Sequence, residues 1–492
     1  MPGYAKELKM AYDADPVSLD PHEQLSGATI QLSHMLFDPL VRWNHDLSFE
    51  PRLAESWQRE DDLTMRFNLR RGVKFHSGNE MTSADVCWTF ARLQTSPDFK
   101  ALYAPFAACE TPDKYTVVLR THKPYPLVLH QATYLFPMDS EFYRGKDEIV
   151  KHGDSFASRN VSGTGPFVVS SREQGVRVDF SRFAGYWDKS SPGNVDNIVL
   201  TPIANDATRV AALLSGDVDF IAPVPPNDLA RIKSNSGTSL VTMPGTRVIT
   251  FQLNQKRNPA LANAKVRQAI AYAVNNRGIA EKIMKGFAAP AAQQSPPGYA
   301  GHNPLLQPRF DVEKARQLMK EAGYENGFSL SMMAPNNRYV NDAKVAEAVA
   351  AMLGKIGIRV NLTTMPKAQY WPKFDERAAD MMMIGWHSDT EDSGNFSEFL
   401  LMCPDAESGY GQYNSGNYCN KFVDRLVLDS QSEVNAAKRA AQLQKIEEIA
   451  YRDAAFIPLH WQNLSWASQE NVNIEPIVNV MNFPYIGDLV VK

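Results

Sequence analysis

From about residue 198 to residue 386 the sequence alternates between short apolar segments and longer amphipathic ones. The short segments have the length of strands, and the longer ones place apolar residues at helical spacing. Strands separated by helices predict a mostly parallel sheet, so we expect an α/β fold. The segments are, in chain order, NIVLTPI, a helix from Asp206 closed near Gly216, VITFQLN, NAKVRQAIAYAVNNRGIAEKIM, VEKARQLMKEAGY stopped at Gly323, FSLSMMA, NDAKVAEAVAAMLGKIG, IRVNLTTM and DMMMIGW.

Two of these segments carry the clearest signals. In NDAKVAEAVAAMLGKIG the apolar residues form one helical stripe, Asp342 is the expected cap, and Gly357 suits the left-handed position after a helix. DMMMIGW is a continuous apolar run bounded by charge, which predicts a strand buried on both faces. The buried stripe is predicted to contain Val345, Ala348, Val349, Met352, Leu353 and Ile356.

The first part of the chain has a different pattern. Residues 5–70 are typical of strands, a helix is predicted after Ser83 as its N-cap, and KYTVVLRT predicts another strand. The glycines of SGTGPFVVSS suggest a phosphate cradle at first sight. That geometry requires a helix N-terminus, whereas this segment leads into a strand, so we predict a structural turn.

Length and charge exclude several classes of protein. A chain of 492 residues predicts two or three compact units. The net charge of -4 comes without a basic stripe, so no nucleic-acid partner is expected. No apolar run approaches the roughly 18 to 20 residues that cross a bilayer. The first residues, Met1 to Tyr4, lack a basic-then-apolar leader, so the protein is either cytosolic or has lost a leader.

The four cysteines fall into two pairs that are local in sequence. Cys87 and Cys109 form one pair, and Cys403 and Cys419 the other. None has CxxC spacing, so a zinc or thioredoxin-type motif is not expected. Two disulfides in an oxidising compartment are one interpretation, and four buried thiols in a reducing compartment are the other.

The loop after DMMMIGW is the predicted ligand site. Ligands of open α/β sheets bind beyond the carboxyl ends of the strands. This strand ends at Trp386, and Asp389, Glu391 and Asp392 follow within a few positions. Three carboxylates suit a cation, either a ligand ammonium or a metal, and Trp386 supplies a flat apolar wall. The alternative is a solvated acidic loop with Trp386 in the core.

The sequence carries none of the common signatures of catalysis. HExxH, GxSxG and P-loop patterns do not occur, so we expect no enzyme activity and no cofactor. His387 lies beside the acidic loop, where a histidine with two carboxylates can bind a metal. Because such a histidine more often forms hydrogen bonds, no metal site is predicted.

Eight short motifs, in this order and spacing, resemble one family along nearly the whole chain. The chain is similar to the peptide- and nickel-binding class of ABC-transporter solute-binding proteins, which includes dipeptide- and oligopeptide-binding proteins. The motifs are RLAESW at 52–57, LRRGVKFHSGNEMTSADV at 69–86, GTGPF at 163–167, GYW at 185–187, LLSGDVDF at 213–220, NAKVRQAIAYAVN at 263–275, DVEKARQLMKEAGY at 311–324 and VAEAVAAMLGKIGI at 345–358.

The resemblance implies a periplasmic-binding-protein-like fold of two lobes that close over a ligand about a hinge. It also implies a monomer that delivers a small-molecule or peptide ligand to an ABC permease, with an extracytoplasmic location favoured by the match of Cys403 and Cys419 to a disulfide of peptide-binding relatives. Lobe I would be residues 1–249 and 467–492, with an extra subdomain near 40–162, and lobe II would be residues 250–466.

Ligand-contacting residues of lobe II are also implied by the resemblance. Peptide binders hold the ligand ammonium with an aspartate three residues after a tryptophan, a spacing that Asp389 and Trp386 reproduce in GWHSD. In the dipeptide binder an arginine before the long helix pairs with the ligand carboxylate. Asn336 stands at that position, with Arg338 two residues later, so dipeptide specificity is in doubt.

Lobe I is expected to approach the ligand through LSGAT, with Ser26, Gly27 and Thr29, and through Tyr103 and Phe106. Plain surface loops are the alternative for both. The function expected from these residues is capture of a short peptide. The same fold with a nickel chelate, an oligosaccharide or an opine-like amine is the first alternative, and an enzyme on a two-lobed scaffold is the second.

Overall fold

Residues 5–388, 390 and 392–492 are described by a computed structural model. The chain divides into two units. The first consists of Met1–Val224, Asp228–Thr242 and Ser465–Lys492, and the second of Pro225–Asn227 and Met243–Leu464. Two long strands, Thr238–Leu253 and Phe456–Gln469, begin in one unit and end in the other.

The main sheet of the first unit is mixed. The strand Glu7–Tyr12 pairs in parallel with the strands at 197–202 and 220–222, and the remaining pairs among the strands of this unit are antiparallel. The helix Asp206–Ser215 begins at the predicted residue, with the Asn205 side chain accepting from Thr208 N, and ends at Gly216, whose φ is +82°. In sheet order the strands are Phe220–Ala222, Glu7–Tyr12, Asn197–Pro202, Arg177–Arg182 and Phe167–Glu173.

A separate four-stranded antiparallel sheet lies within the range predicted for the extra subdomain. The disulfide between Cys87 and Cys109 joins it to the helix Ser83–Thr95. The N-cap of this helix is Thr82 rather than the predicted Ser83, because the side chains of Thr82 and Asp85 form a reciprocal capping box. The strands are, in sheet order, Ala54–Asp61, Thr64–Leu69, Thr116–Thr121 and Phe106–Asp113.

The glycines of GTGPF allow two backbone segments to approach closely. A Cβ atom on Gly165 would lie 2.4 Å from the carbonyl carbon of Leu36 and 2.5 Å from Phe37 N. The Gly165 N–H donates to Leu36 O at 3.0 Å, and the chain continues into the strand Phe167–Glu173. The glycines therefore serve packing here, and the segment leads into a strand, as predicted.

Gly165→Ala is expected to lower the free energy of unfolding by about 1–3 kcal/mol, because the methyl group would push apart two backbone segments joined by a hydrogen bond. Urea denaturation measures this loss. Gly354→Ala is the matched control, since a Cβ there meets nothing within 4 Å and alanine favours a helix. Equal stability of the two variants would contradict the packing role.

The remaining elements of the first unit are shorter. The additional strands form two antiparallel pairs, Val41–Trp43 with Phe49–Pro51 and Val472–Asn473 with Val490–Val491. The additional helices and 3-10 turns are Gly27–Leu36, Lys100–Tyr103, Val128–Ala132, Phe156–Arg159, Leu229–Lys233, Glu475–Ile477 and Ile486–Asp488.

The sheet of the second unit is only partly parallel. Phe328–Pro335 pairs in parallel with Ile358–Met365 and with Met381–Trp386, and these strands are linked through helices, as a parallel connection requires. Met381–Trp386 pairs antiparallel with residues 248–253, which enter directly along a long strand. The prediction of a mostly parallel sheet is therefore right for the helix-linked strands and wrong for this pair.

The cap of the helix Asp342–Gly354 differs from the prediction. Asn341, with φ +56°, occupies the N-cap position, and Asp342 is the first helical residue. The Asp342 carboxylate accepts from Arg338 N at 2.9 Å and from Tyr339 N at 3.0 Å, so it braces the turn before the helix. Gly357 has φ +84°, as predicted.

The other elements of the second unit are mostly helices, together with the strand Ala288–Pro290, which pairs antiparallel with Phe456–Gln469. The apolar core of this unit includes Ile249, Phe251, Val345, Val349, Met381 and Met383. The additional elements are Pro259–Ala262, Ala264–Ala273, Asn276–Gly278, Ile279–Ile283, Ala288–Pro290, Val312–Glu321, Lys367–Asp375, Gly394–Leu400, Lys421–Ser432 and Ala436–Asp453. Throughout the described part of the chain, no helix is both long enough and apolar enough to cross a bilayer.

Candidate ligand-binding site

The strand Met381–Trp386 is buried along its whole length, as predicted, and leads to the candidate site. Its penultimate residue, Gly385, has no room for a side chain. A Cβ atom there would lie 2.6 Å from Ile249 Cδ1 and 2.8 Å from Tyr339 Cε1. The neighbouring strand and the turn before the long helix therefore pack directly against the end of this strand.

Trp386 is held by side chains of its own unit and is 6% exposed. Its Nε1 donates to Asn395 Oδ1 at 2.8 Å. The ring stacks on Phe399 and packs against Tyr413, each with centroids 5.0 Å apart. The wall that the sequence predicts thus has a fixed orientation, and its contact with a ligand stays a prediction.

The acidic loop is only partly described. Asp389 and Glu391 lie outside the described residues. Asp392 is 1% exposed, forms an ion pair with Arg439, and accepts from Thr390 Oγ1 and Gly394 N at 2.8 Å. The cation that partners this carboxylate is therefore a side chain of the protein, and Asp392 is a structural residue.

Arg247 lies beside the end of the strand, a placement that sequence reasoning missed. Its Nη1 donates to Gly385 O at 3.1 Å, and its Nη2 lies 3.0 Å from His387 Nδ1. Because a guanidinium only donates, Nδ1 is the acceptor and a neutral His387 carries its proton on Nε2. Among the described residues, no group of three or more metal-ligating side chains occurs.

Arg338 is a second guanidinium near this strand end. Its Cζ lies 4.9 Å from the centroid of the Tyr339 ring, and Tyr339 OH is 3.4 Å from Gly385 O. Arg338 is partly buried, and within the part of the chain that the structure describes its Nε has no hydrogen-bond partner and no carboxylate forms an ion pair with it. Asn336, the residue at the family's arginine position, is exposed. A contact of Arg338 with a ligand carboxylate stays a prediction.

In the first unit, the segment LSGAT forms the start of the helix Gly27–Leu36. Ser26 is the N-cap and has extended backbone angles, with no side-chain capping bond. Ser26 is partly exposed, whereas Gly27 and Thr29 are buried. A hydroxyl or backbone contact from Ser26 is compatible with this placement, and contact from Gly27 or Thr29 stays a prediction.

Tyr103 and Phe106 are packed inside the first unit. Both are buried, with ring centroids 5.6 Å apart, and both contact Phe90. Tyr103 OH donates to Gln131 O at 2.9 Å. These contacts account for both rings as core side chains, and their contact with a ligand stays a prediction.

Both predicted disulfides are present, Cys87–Cys109 and Cys403–Cys419. The second closes the loop that carries Tyr413, whose N–H donates to Phe399 O at 3.0 Å. This bridge therefore stabilises the segment that packs against Trp386. Four free thiols, the alternative interpretation, are contradicted by these two bonds.

Comparison with known proteins identifies the family. Residues 48–408 match the model of the bacterial extracellular solute-binding proteins, family 5. Heme-binding protein A of Haemophilus influenzae is 30% identical over 90% of this chain and 85% of that protein. Glutathione-binding protein GsiB of Salmonella choleraesuis is 27% identical over 95% of this chain and 91% of that protein.

A solved structure shares the fold. The periplasmic binding protein DppA of Helicobacter pylori, in complex with the peptide STSA, superposes with a TM-score of 0.89 at 24% identity, covering 99% of this chain and 98% of that chain. This likeness confirms the predicted periplasmic-binding-protein-like α/β fold. The chain belongs to the bacterial extracellular solute-binding proteins of family 5, the solute-binding components of ABC importers.

Proposed function

We propose that this protein captures a short peptide, or a ligand with the same charged groups, and delivers it to an ABC permease outside the cytoplasm. The observation that carries the proposal is the end of the strand Met381–Trp386. The sequence after this strand reaches Asp389 at the spacing of an ammonium-binding aspartate, and among the described residues no carboxylate forms an ion pair with Arg338. The relative GsiB is named for binding glutathione, which is itself a short peptide.

In this proposal the two ends of the ligand have separate partners. Asp389 binds the ammonium group, Trp386 forms the wall beside it, and Arg338 binds the carboxylate. A charged hydrogen bond contributes about 1.5–3 kcal/mol, so these two contacts determine orientation as well as affinity. In this proposal Ser26 adds a contact from the first unit. All of these contacts form together only when the two units close around the ligand.

Calorimetry with a panel of di- to tetrapeptides tests the proposal. At least one peptide is expected to bind, and Asp389→Asn is expected to weaken its affinity about 100-fold, because the neutral amide cannot pair with the ammonium. Glu407→Gln, at an exposed position of the same unit, is the control.

Peptide amides make the test more specific. Arg338→Gln should weaken binding of a peptide with a free C-terminal carboxylate and leave binding of its C-terminal amide unchanged. The absence of heat with every peptide would reject the proposal. Retention of full affinity in Asp389→Asn would exclude an ammonium-bearing ligand.

A second candidate keeps the fold and changes the ligand. The relative with 30% identity is named for heme, and Asn336 replaces the arginine of the dipeptide binder. These observations favour a non-peptide ligand such as heme, a nickel chelate, an oligosaccharide or an opine-like amine. Titration with heme, followed by its Soret absorbance, distinguishes the first of these from a peptide. The relatives are named for binding, which supports a protein without catalytic activity.

A further inference from the structure

The edge of the Trp386 indole is bound by one buried amide. Asn395, the second residue of the helix Gly394–Leu400, is 0% exposed, and its Oδ1 accepts from Trp386 Nε1 at 2.8 Å. An indole N–H only donates, so the orientation of the amide is determined: Oδ1 must face the ring. Asn395 Nδ2 has no hydrogen-bond partner among the described residues, so the contact with Trp386 is the amide's side-chain hydrogen bond.

The faces of the Trp386 ring contact two aromatic rings, and the energy of such contacts depends less on direction than that of a hydrogen bond. Phe399, four residues after Asn395 on the same helix, stacks on the ring at an interplanar angle of 28°, and Tyr413 is tilted by 53°. Aromatic contacts of this kind tolerate a range of offsets. A hydrogen bond requires a narrow angle between donor and acceptor. The Asn395 contact is therefore the one that determines the direction of the indole edge.

We propose that Asn395 is a positioning residue for ligand recognition, which holds the plane of Trp386 and thereby sets the size of the first ligand side chain that fits beside it. This inference rests on the proposed function, because it takes Trp386 as a wall of the ligand pocket. Sequence reasoning did not single out Asn395, since its partner is identified only by the fold.

Removing the acceptor has a predictable effect on the ring. Asn395→Leu leaves Trp386 Nε1 buried without a partner, and such a donor carries a desolvation penalty that favours reorientation. Replacing both partners with apolar groups removes that penalty. The effect of Asn395→Leu should therefore depend on the presence of the Trp386 N–H, which is the signature of a positioning role.

The experiment is a double-mutant cycle in which the measured quantity is the ratio of the affinities for two peptides. Affinities for two peptides that differ only in the first residue, alanine or phenylalanine, are measured by calorimetry in the wild type, Asn395→Leu, Trp386→Phe and the double variant. Asn395→Leu is expected to change the ratio of the two affinities about tenfold with Trp386 present, and no more than about twofold in the Trp386→Phe background. Asn395→Asp keeps an acceptor oxygen, and burial keeps it protonated, so the wild-type ratio should return.

The outcomes separate the inference from the proposed function. If wild type binds peptides and Asn395→Leu changes the ratio equally in both backgrounds, or not at all, the positioning role is wrong. If wild type binds no peptide, the proposed function fails and the inference fails with it. Circular dichroism establishes that each variant is folded. If Asn395→Leu is not, Asn395→Ser, which is too short to reach Nε1, replaces it in the same cycle.

Discussion

Asp20→Ala is expected to lower the free energy of unfolding by about 3–5 kcal/mol, because it leaves the Arg92 guanidinium buried without its counter-charge. Arg92 Nη1 and Nη2 donate to the two carboxylate oxygens of Asp20 at 2.8 Å and 2.6 Å. The side chains of Arg92 and Asp20 are 2% and 0% exposed. Removing one partner of such a pair costs far more than the pair contributes, because the remaining charge has already lost its water.

Asp20→Ala is also expected to weaken ligand binding at the candidate site. Asp20 begins the segment that leads to Ser26 and the helix Gly27–Leu36. His22 O in this segment accepts from Ser96 Oγ at 2.7 Å, and Leu25 N donates to Asp98 Oδ2 at 3.0 Å. Asp20 is thus one of several residues that hold this segment in place. Asp20→Ala should therefore change the free energy of ligand binding less than it changes the free energy of unfolding.

Urea denaturation followed by circular dichroism measures the loss of stability. Asp154→Ala is the matched control, since it breaks an exposed ion pair with Arg159 that is expected to contribute about 0–1 kcal/mol. The double variant Asp20→Leu/Arg92→Met should recover part of the loss by removing both buried charges. A loss for Asp20→Ala no larger than that for Asp154→Ala would show that Arg92 is adequately stabilised without Asp20.

The second large effect is a dependence of stability on pH that comes from Glu447. This carboxyl group is 1% exposed on the helix Ala436–Asp453, and burial raises its pKa from 4.5 to about 7. Three N–H groups partly oppose the rise in pKa: Gln294 N and Nε2 donate to one oxygen at 3.2 Å and 3.3 Å, and Ser295 N donates to the other at 3.0 Å. Glu447 therefore connects this helix to the segment after the strand Ala288–Pro290.

The sign of the effect follows from which state holds the proton. Below pH 4.5 the carboxyl group is protonated in both the folded and unfolded states and contributes no pH dependence. Between about pH 4.5 and 7 the folded state keeps its proton while the unfolded state releases it, so stability falls as pH rises. Above pH 7 both states are ionised, and the accumulated loss is roughly 3 kcal/mol at about 1.4 kcal/mol per pH unit.

Denaturation of wild type and Glu447→Gln from pH 4.5 to pH 8 tests this expectation. Wild type should lose roughly 3 kcal/mol relative to Glu447→Gln over that range, because glutamine does not titrate. Glu448→Gln, at the adjacent and more exposed position that pairs with Lys445, should follow the wild-type curve. Parallel curves for wild type and Glu447→Gln would contradict the raised pKa.

Features that depend on neighbours in the sequence were predictable. The spacing of apolar residues locates the helix Asp206–Ser215 and the strand Met381–Trp386, because the periods of helices and strands are local properties of the backbone. Gly216 and Gly357 adopt left-handed angles as expected, since few other residues do so at little cost. The cysteine pairs were also local enough in sequence to be identified correctly.

Capping was predictable to within one position. Thr82 caps a helix where Ser83 was expected, and Asn341 caps one where Asp342 was expected. Adjacent residues with similar side chains compete for this role, and backbone angles outside the helix decide between them.

The sequence by itself determined the α/β class, the main alternation of strands and helices between about residues 198 and 386, and the strand end where a ligand site was expected, because these depend on periodicity, turn residues and motif order. Only the tertiary structure decided the charge environment at that strand end. Arg439 neutralises Asp392 across 47 residues, and Arg247 reaches Gly385 O across 138. Such partners are brought together by packing between distant segments, and no local pattern of residues encodes which charges will meet.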